Sequence, residues 1–463
     1  MGNRGYITVF LTLLISAVLI LFSAVLSWVA LSSAKGRTAA ATRSAMSNVR
    51  AEYDRYLFDH YHVLFLDQNP GDEGMGALEA LAEERLQENL GDEYSVAGCT
   101  LTGVTGVMDE GCTELRRQVM EASKYLAAEK GAEYLKSKVK NDTPITEEEV
   151  DGLDMEQSEG EEENKEDEDP RRSIRACELI GVAFWILPEG YSFREYEVDF
   201  SELPSQGKKG ISLVTVDSGF QDMARLKRSV TQSGGWLDGL ESEAAGLIYA
   251  ANCFNCFTDK VQEDTVLDLE MEYLIVGKKS DVQNYKAVID QIMVIRTGCN
   301  FAYILTDADK MARLSALATA LTWYFPPSQP VVKYLLAGAW SYIEAVADAY
   351  RLVRGKKVPY LKTKENWVTD LDGLYRLEEV TDSPAQDEDE SGLDYEDYLL
   401  ILLACRMGEA YFRMLDIMQL NVNQNAESDT GKFYMKDAIT AFGMKAEVEY
   451  EGHAIVVQEE LGY

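Results

Sequence analysis

Residues 6–34 read YITVFLTLLISAVLILFSAVLSWVALSSA, 29 positions without a charge. As a helix rising about 1.5 Å per residue this stretch extends roughly 44 Å, beyond the ~30 Å hydrocarbon core of a bilayer. Leu, Val, Ile, Ala and Phe supply most of it, and the interspersed Ser and Thr can return their hydroxyls to helix carbonyls. Arg4 precedes the stretch, and Lys35, Arg37 and Arg43 follow it. Trp28 lies near the second boundary, where an indole suits the headgroup layer. The competing reading is a secretory signal cut after Ser32-Ser33-Ala34, but the apolar core of a signal is usually about 7–15 residues long. Tyr6 to Ala34 is therefore expected to be an uncleaved membrane span contacting the lipid bilayer, with residues 1–5 as a short cytoplasmic tail. Basic residues are more numerous after the span, which by itself would put the carboxyl side in the cytoplasm; a long following domain can override so small a bias. Ser16, Ser23 and Ser27 are small residues that would let a second helix approach closely or simply face lipid. Two other apolar windows fail as spans. Residues 314–332 are uncharged but interrupted by Pro326, Pro327 and Pro330, and residues 399–405 are too few.

Beyond the span the pattern becomes that of an α+β domain. Val49, Tyr53, Leu57, Tyr61 and Leu64 continue a helical spacing through residues 38–66. A membrane-proximal region, 35–140, holds a short helix at 77–90, an extended segment at 94–108 and a helix at 112–139. The main domain, 173–463, is read as a helix at 173–187, strands at 191–200 and 210–216, and a helix at 238–258. Residues 266–276, VLDLEMEYLIV, alternate apolar and acidic side chains and predict a strand with its acids on one face. Helices follow from Ser280 to about Arg296, from a cap framed by Thr306 and Asp309 to Pro326, from Pro330 to Arg354, and over 394–420. Residues 443–450 and 453–460 alternate around Glu451-Gly452 and predict a hairpin. The sheet is expected to be antiparallel and the second half helix-rich.

Charge narrows the function. The 463-residue chain carries 79 acids against 44 bases, a net of −35. A phosphate backbone demands a basic surface, so no nucleic-acid partner is expected. Residues 147–169 hold 14 acids and one lysine, and the segment 141–172 is expected to be a disordered acidic linker. A shorter disordered loop is expected at 380–392. No GxxxxGK[ST], GxGxxG after a strand, HExxH or GxSxG is present, which removes the usual warrants for nucleotide, dinucleotide, zinc-protease and α/β-hydrolase chemistry.

Several phrases carry a resemblance. RGYITVFLTLL (4–14), EYDRYLFDHYHVLF (52–65), LDLEMEYLIVGKKSDVQN (267–284), AWSYIEAVADAYRLVRGKKVPYLKT (339–363) and GLDYEDYLLILLACRMGEAYFRMLDIMQLN (392–421) resemble a family of single-span envelope proteins of low-GC Gram-positive bacteria. Genes of that family tend to lie beside tight-adherence (Tad/Flp-type) pilus assembly genes, and the family has no assigned activity. It in turn resembles the TadE/TadG class of minor, pilin-like proteins. The resemblance implies an extracytoplasmic domain and a structural or assembly role, with other envelope or pilus-assembly proteins as partners through the span and the ectodomain. A type IV prepilin is cut after a glycine and carries Glu five residues later; here Gly5 precedes Tyr6, and the fifth residue is Phe10.

The remaining candidates are side-chain constellations. Glu344 and Asp348 are one turn apart on an apolar helix, and Arg406, Glu409, Arg413 and Asp416 punctuate another. Buried acids and arginines need partners. The six are read as an Arg–carboxylate network clamping the two helices, with Asn421 and Asn423 capping the second. The sharper alternative is a carboxylate/Arg pocket in a cell-envelope enzyme or ligand-binding sensor. Cys253 and Cys256 form a CxxC without a visible helix amino terminus to activate it or a second pair to complete a zinc site, so they are read as structural thiols. Seven cysteines leave at least one unpaired, and Cys99–Cys112 is the expected disulfide. His60 and His62 are two apart and would point to different faces of a helix. No metal and no cofactor is expected.

Overall fold

A computed structural model of the chain describes residues 3–69, 74–141, 181–188, 190–206, 236–371, 392–425 and 432–462. The expected acidic linker (142–172), the strand at 210–216 and the loop at 380–391 lie outside those residues. The fold is α+β and divides into two compact units, residues 1–118 with 418–463, and residues 119–417. That division departs from a membrane-proximal region followed by one main domain: the carboxyl-terminal hairpin belongs with the amino-terminal unit, because its first strand pairs with the extended segment after residue 93.

In the smaller unit α1 runs unbroken from Asn3 to Arg50. Its two halves face different surroundings. Every large apolar side chain described between Val9 and Val29 is exposed, Trp28 by 70%. Thr12, Ser16 and Ser23 return their hydroxyls to carbonyls within the helix at 2.8–2.9 Å. From Ala34 onward Ala41, Ala45, Met46 and Val49 are buried, a three- and four-residue spacing that makes one apolar stripe. Thr38 and Thr42 sit in the same stripe and bond back to Ala34 and Thr38. The helix is thus long and apolar enough at its start to cross a membrane, and its end is a core element of a folded unit.

The chain then forms α2 (Arg55–Tyr61), β1 (Leu66–Asp67), α3 (Met75–Leu90), β2 (Tyr94–Gly106) and the start of α4 (Asp109–Asn141). It returns with β3 (Ala438–Tyr450) and β4 (His453–Gly462). All pairings are antiparallel, with β3 central: β2 lies along one edge, and β4 and then β1 along the other. Leu78, Ala82, Leu86 and Leu90 of α3 meet the α1 stripe and the inward residues Phe442, Met444, Ala446, Val448 and Ile455. Cys99 is buried in this core. No disulfide joins it to Cys112, which sits in a left-handed turn at the start of α4. Burial pushes the Cys99 thiol up to about 11. His60 stacks on Tyr56 at 4.2 Å, and His62 ends α2 in a left-handed conformation. Asn421 donates to the Tyr61 hydroxyl, and Asn423 clasps the backbone of Phe433. Neither caps the helix there, which continues to Asn425.

The larger unit contains α5 (Trp236–Cys253), α6 (Glu270–Val276), α7 (Asp281–Thr306), α8 (Ala308–Leu321), α9 (Gln329–Leu352), α10 (Tyr395–Ala404) and α11 (Met407–Asn425), the last continuing into the smaller unit. Helix α7 is also apolar and long enough for a span, yet it carries the buried Arg296 and packs against α9. Asp307, not Thr306, caps α8, accepting from the Asp309 and Lys310 amides. The segment 394–420 is two helices, broken at Cys405 and Arg406. Residues 191–200 are not a strand; Arg194 reaches the carbonyls of Thr265 and Val266 and the Asp268 carboxylate. Of the helix expected at 173–187, the described part is the single turn Val182–Trp185.

Residues 266–276 do not form the expected strand. Residues Glu270–Val276 are a helix, and all seven are buried. Asp268 pairs with Arg194 and Lys260, while Glu270 and Glu272 bind backbone, not water. Glu270 accepts the Asn255 amide at 2.9 Å and Glu272 accepts the Phe257 amide at 3.0 Å, fixing the loop that leaves α5.

At Gly443, in the middle of β3, an added Cβ would lie 2.9 Å from Thr102 Oγ1 and 3.1 Å from the Glu459 carbonyl. Overpacking of this kind costs about 1–3 kcal/mol. Gly443→Ala is expected to lower the urea midpoint accordingly; an unchanged midpoint would mean that the strands at this point are spaced more widely.

Candidate functional site

The six polar residues anticipated on α9 and α11 do not converge. They belong to two separate clusters in the larger unit, and each is completed by residues from other elements.

The first cluster is built on α9. Glu344 and Asp348 both point inward and are fully buried. Lys362, from the irregular segment after α9, places Nζ 2.7 Å from Glu344 Oε1 and 2.7 Å from Asp348 Oδ1. From α7, Arg296 Nε donates to Asp348 Oδ2 at 2.9 Å and Asn300 donates to the same oxygen at 3.0 Å. Arg296 also donates to the Tyr360 carbonyl and the Tyr398 hydroxyl. Glu344 is completed by the Val368 and Thr369 amides and the Thr369 hydroxyl, at 2.7–3.0 Å. Two cations and two anions thus form a neutral, closed tetrad. Burial alone would raise the Asp348 pKa, but Lys362 and then Arg296 outweigh it and hold the carboxyl below its ordinary value. Burial would likewise lower Lys362, and the two carboxylates hold it above the usual lysine range. The arrangement ties α7, α9 and the following segment together.

The second cluster is built on α11. Arg413 donates through Nη1 to the carbonyls of Leu274 and Ile275, at 2.7 and 2.9 Å, and through Nη2 to Glu409 at 3.0 Å. A guanidinium here satisfies carbonyls at the carboxyl end of α6, where the helix dipole favours a cation. Gly277 ends that helix at φ +65°, and a Cβ there would come within 2.6 Å of Arg413 Nε. Burial lowers the Arg413 pKa. Asp416 accepts the Ser205 amide at 2.9 Å and the Tyr273 hydroxyl at 2.7 Å; burial raises its pKa. Arg406 pairs with Gln291 on α7. The expected clamp joined α9 to α11; in the structure α9 is tied to α7, and α11 to α6.

A third group went unanticipated. Glu272 is fully buried, with Oε1 accepting from the Phe257 amide and from the Tyr395 hydroxyl at 2.9 Å. Its Oε2 has no hydrogen-bond partner among the described residues, nor has the nearby Tyr285 hydroxyl. Phe257 lies 4.9 Å from the Tyr285 ring and 6.0 Å from that of Tyr395, walling the carboxyl with aromatics. Desolvation pushes Glu272 up to about 7, so it exchanges a proton near neutrality. Its neighbour Cys256 is pushed up to about 12, first by burial and then by the Glu272 charge. That is the reverse of an activated thiolate, and Cys253 is equally buried. No three His, Cys, Asp or Glu side chains among the described residues come together as a metal site.

Residues 160–450 match the model of a family of unknown function, DUF5702. The chain belongs to that family. No curated protein and no solved structure matches it. The DUF5702 segment takes in every member of the three clusters and leaves out α1.

Some of these residues had a signal. Arg296 is a lone cation between Ile295 and Asn300 in an apolar helix, so a buried anion had to face it. Lys362 had none, since its segment has no period to read.

Two measurements test this DUF5702 core. Lys362→Met leaves two buried carboxylates short of a cation, and breaking a buried pair this way costs about 3–5 kcal/mol; a loss under about 1 kcal/mol would contradict the closed tetrad. Glu272→Gln tests the third group. A carboxyl raised to about 7 contributes stability fully below the ordinary glutamate value near 4.5 and loses it as pH rises through about 7. The glutamine variant is therefore expected to be more stable than wild type at pH 8.5, by up to about 3 kcal/mol, with the gain vanishing toward pH 4.5. A gain independent of pH would refute the raised carboxyl.

Proposed function

We propose that this DUF5702 protein is a single-pass, membrane-anchored extracytoplasmic component of structural or assembly type, an accessory or minor pilin-like part of a Tad/Flp-type pilus or secretion system. The observation that carries the reading is α1. Its first half presents apolar side chains on every side, and its second half is the spine of a sheet-containing unit. Water cannot solvate the first half at acceptable free energy; a bilayer can, and so can a bundle of like helices. A projecting apolar helix continuous with a folded head suits a subunit that waits in the membrane and then packs helix against helix. The saturated ion clusters support the same reading, because they brace helices and keep their charges occupied. The alternative, an envelope enzyme or ligand-binding sensor, draws on Glu272, whose raised pKa and unpartnered oxygen are what a proton-exchanging site uses.

The test is fractionation of the full chain in a Gram-positive host together with prepilin peptidase, followed by amino-terminal sequencing and protease treatment of intact cells. The expected product sediments with membranes, begins at Met1 or Tyr6, and is digested beyond Lys35 without cell lysis. A soluble product with its first methionine, or one protected until lysis, contradicts the proposal.

A further inference from the structure

The turn between α8 and α9 exposes several large aromatic side chains. Trp323 is 79% exposed and Tyr324 73%; Phe325, Val331, Tyr334 and Leu335 continue the apolar face onto the first turns of α9. The base of the same hairpin is buried through Leu314, Ala318, Leu336, Ala337 and Trp340. The apolar tip is therefore displayed by a rigid support and not left over from a loose end.

Three observations choose the occupant. Residues 314–332 contain no charge, and Lys333 stands at the edge of the face. That is the chemistry of a headgroup boundary: amphipathic rings at the interface, with a long cation reaching back to phosphate. The backbone of the tip is also largely self-satisfied. The amides of Thr322, Phe325 and Ser328 donate to Ala318, Thr322 and Phe325. The hydroxyls of Thr322 and Ser328 return to carbonyls at 2.7 and 2.8 Å, and Pro326, Pro327 and Pro330 have no N–H to satisfy. A protein partner could supply missing hydrogen bonds, whereas hydrocarbon cannot. Finally, the same chain carries α1, which is long and apolar enough to cross a membrane, so the tip would be held near lipid at high effective concentration, where a shallow, weak insertion suffices.

We infer that the α8–α9 tip is a second membrane contact, inserting Trp323, Tyr324 and Phe325 into the interfacial layer of the bilayer that α1 spans. The inference rests on the anchored reading of α1. It adds a monotopic wedge that holds the larger unit down on the lipid surface.

Tryptophan fluorescence tests both readings separately. The full chain is reconstituted in nanodiscs of phosphatidylcholine, a zwitterionic lipid that does not repel an acidic protein, with ordinary or brominated acyl chains. Wild type is compared with Trp323→Phe and with Trp28→Phe, so that each difference isolates one indole among six. The Trp323 share of the emission is expected to be blue-shifted and to fall about two-fold or more in brominated lipid, as for an interfacial ring. A Trp323 signal that is solvent-like, or blue-shifted but untouched by bromine because protein covers it, overturns the inference. Quenching of Trp28 reports the anchor independently: Trp28 quenched and Trp323 not rejects the wedge alone, whereas Trp323 quenched and Trp28 not rejects the anchor and, with it, a second contact on the bilayer that α1 spans.

Discussion

Lys362 Nζ stands between two buried carboxylates, and the interior of the larger unit is organised around that kind of necessity. A charge removed from water must meet its complement at hydrogen-bond distance or it destabilises the fold by several kcal/mol. Glu344 and Asp348 sit a single turn apart on α9, so one ammonium group can bridge them, and the second cation, Arg296, has to arrive from α7. The positions of α7, α9 and the irregular segment carrying Lys362 are thereby fixed together. The same demand explains α6. Its carboxyl end is closed by Arg413, its Tyr273 hydroxyl is held by Asp416, and its two glutamates secure the loop after α5. A seven-residue helix buried on all sides is stable there because every polar group it brings in, save the Glu272 Oε2, is met.

That exception marks the difference between bracing and chemistry. Asp348 in the tetrad is held in its charged form by Lys362 and Arg296. Glu272 has aromatic walls instead of a cation, and its proton is labile in the physiological range. If the larger unit senses acidity or handles a proton, this is where its physics permits it.

In the smaller unit the governing constraint is solvent identity. One helix presents two different surfaces along its length. From Val9 to Val29 its large apolar side chains are exposed all round, with the Thr12, Ser16 and Ser23 hydroxyls held against the helix's own carbonyls, and its last turns narrow to a stripe of Ala, Thr, Met and Val that fits beneath α3 and the sheet. An exposed aromatic tip on the larger unit extends the same theme, since uncharged aromatic surface with a satisfied backbone is more compatible with a lipid interface than with water.

The sequence determined whatever depends on neighbours along the chain. The apolar run of 6–34, the amphipathic helices at 75–90 and 329–352, and the terminal hairpin around Glu451-Gly452 all follow from local periodicity and turn chemistry. The need for partners at Glu344, Asp348 and Arg413 was legible too, because an acid or guanidinium in an apolar helix is intolerable alone. Which partners they take was decided by tertiary structure. Arg296, Lys362 and Tyr273 lie 52, 18 and 143 residues from the side chains they complete, and no periodicity encodes such distances. The alternation at 266–276 misled for a related reason: period two signals that acids face something polar, and water was the natural guess, whereas here buried backbone amides filled that role. Local pattern records that a polar group must be satisfied; only the packed chain settles by what.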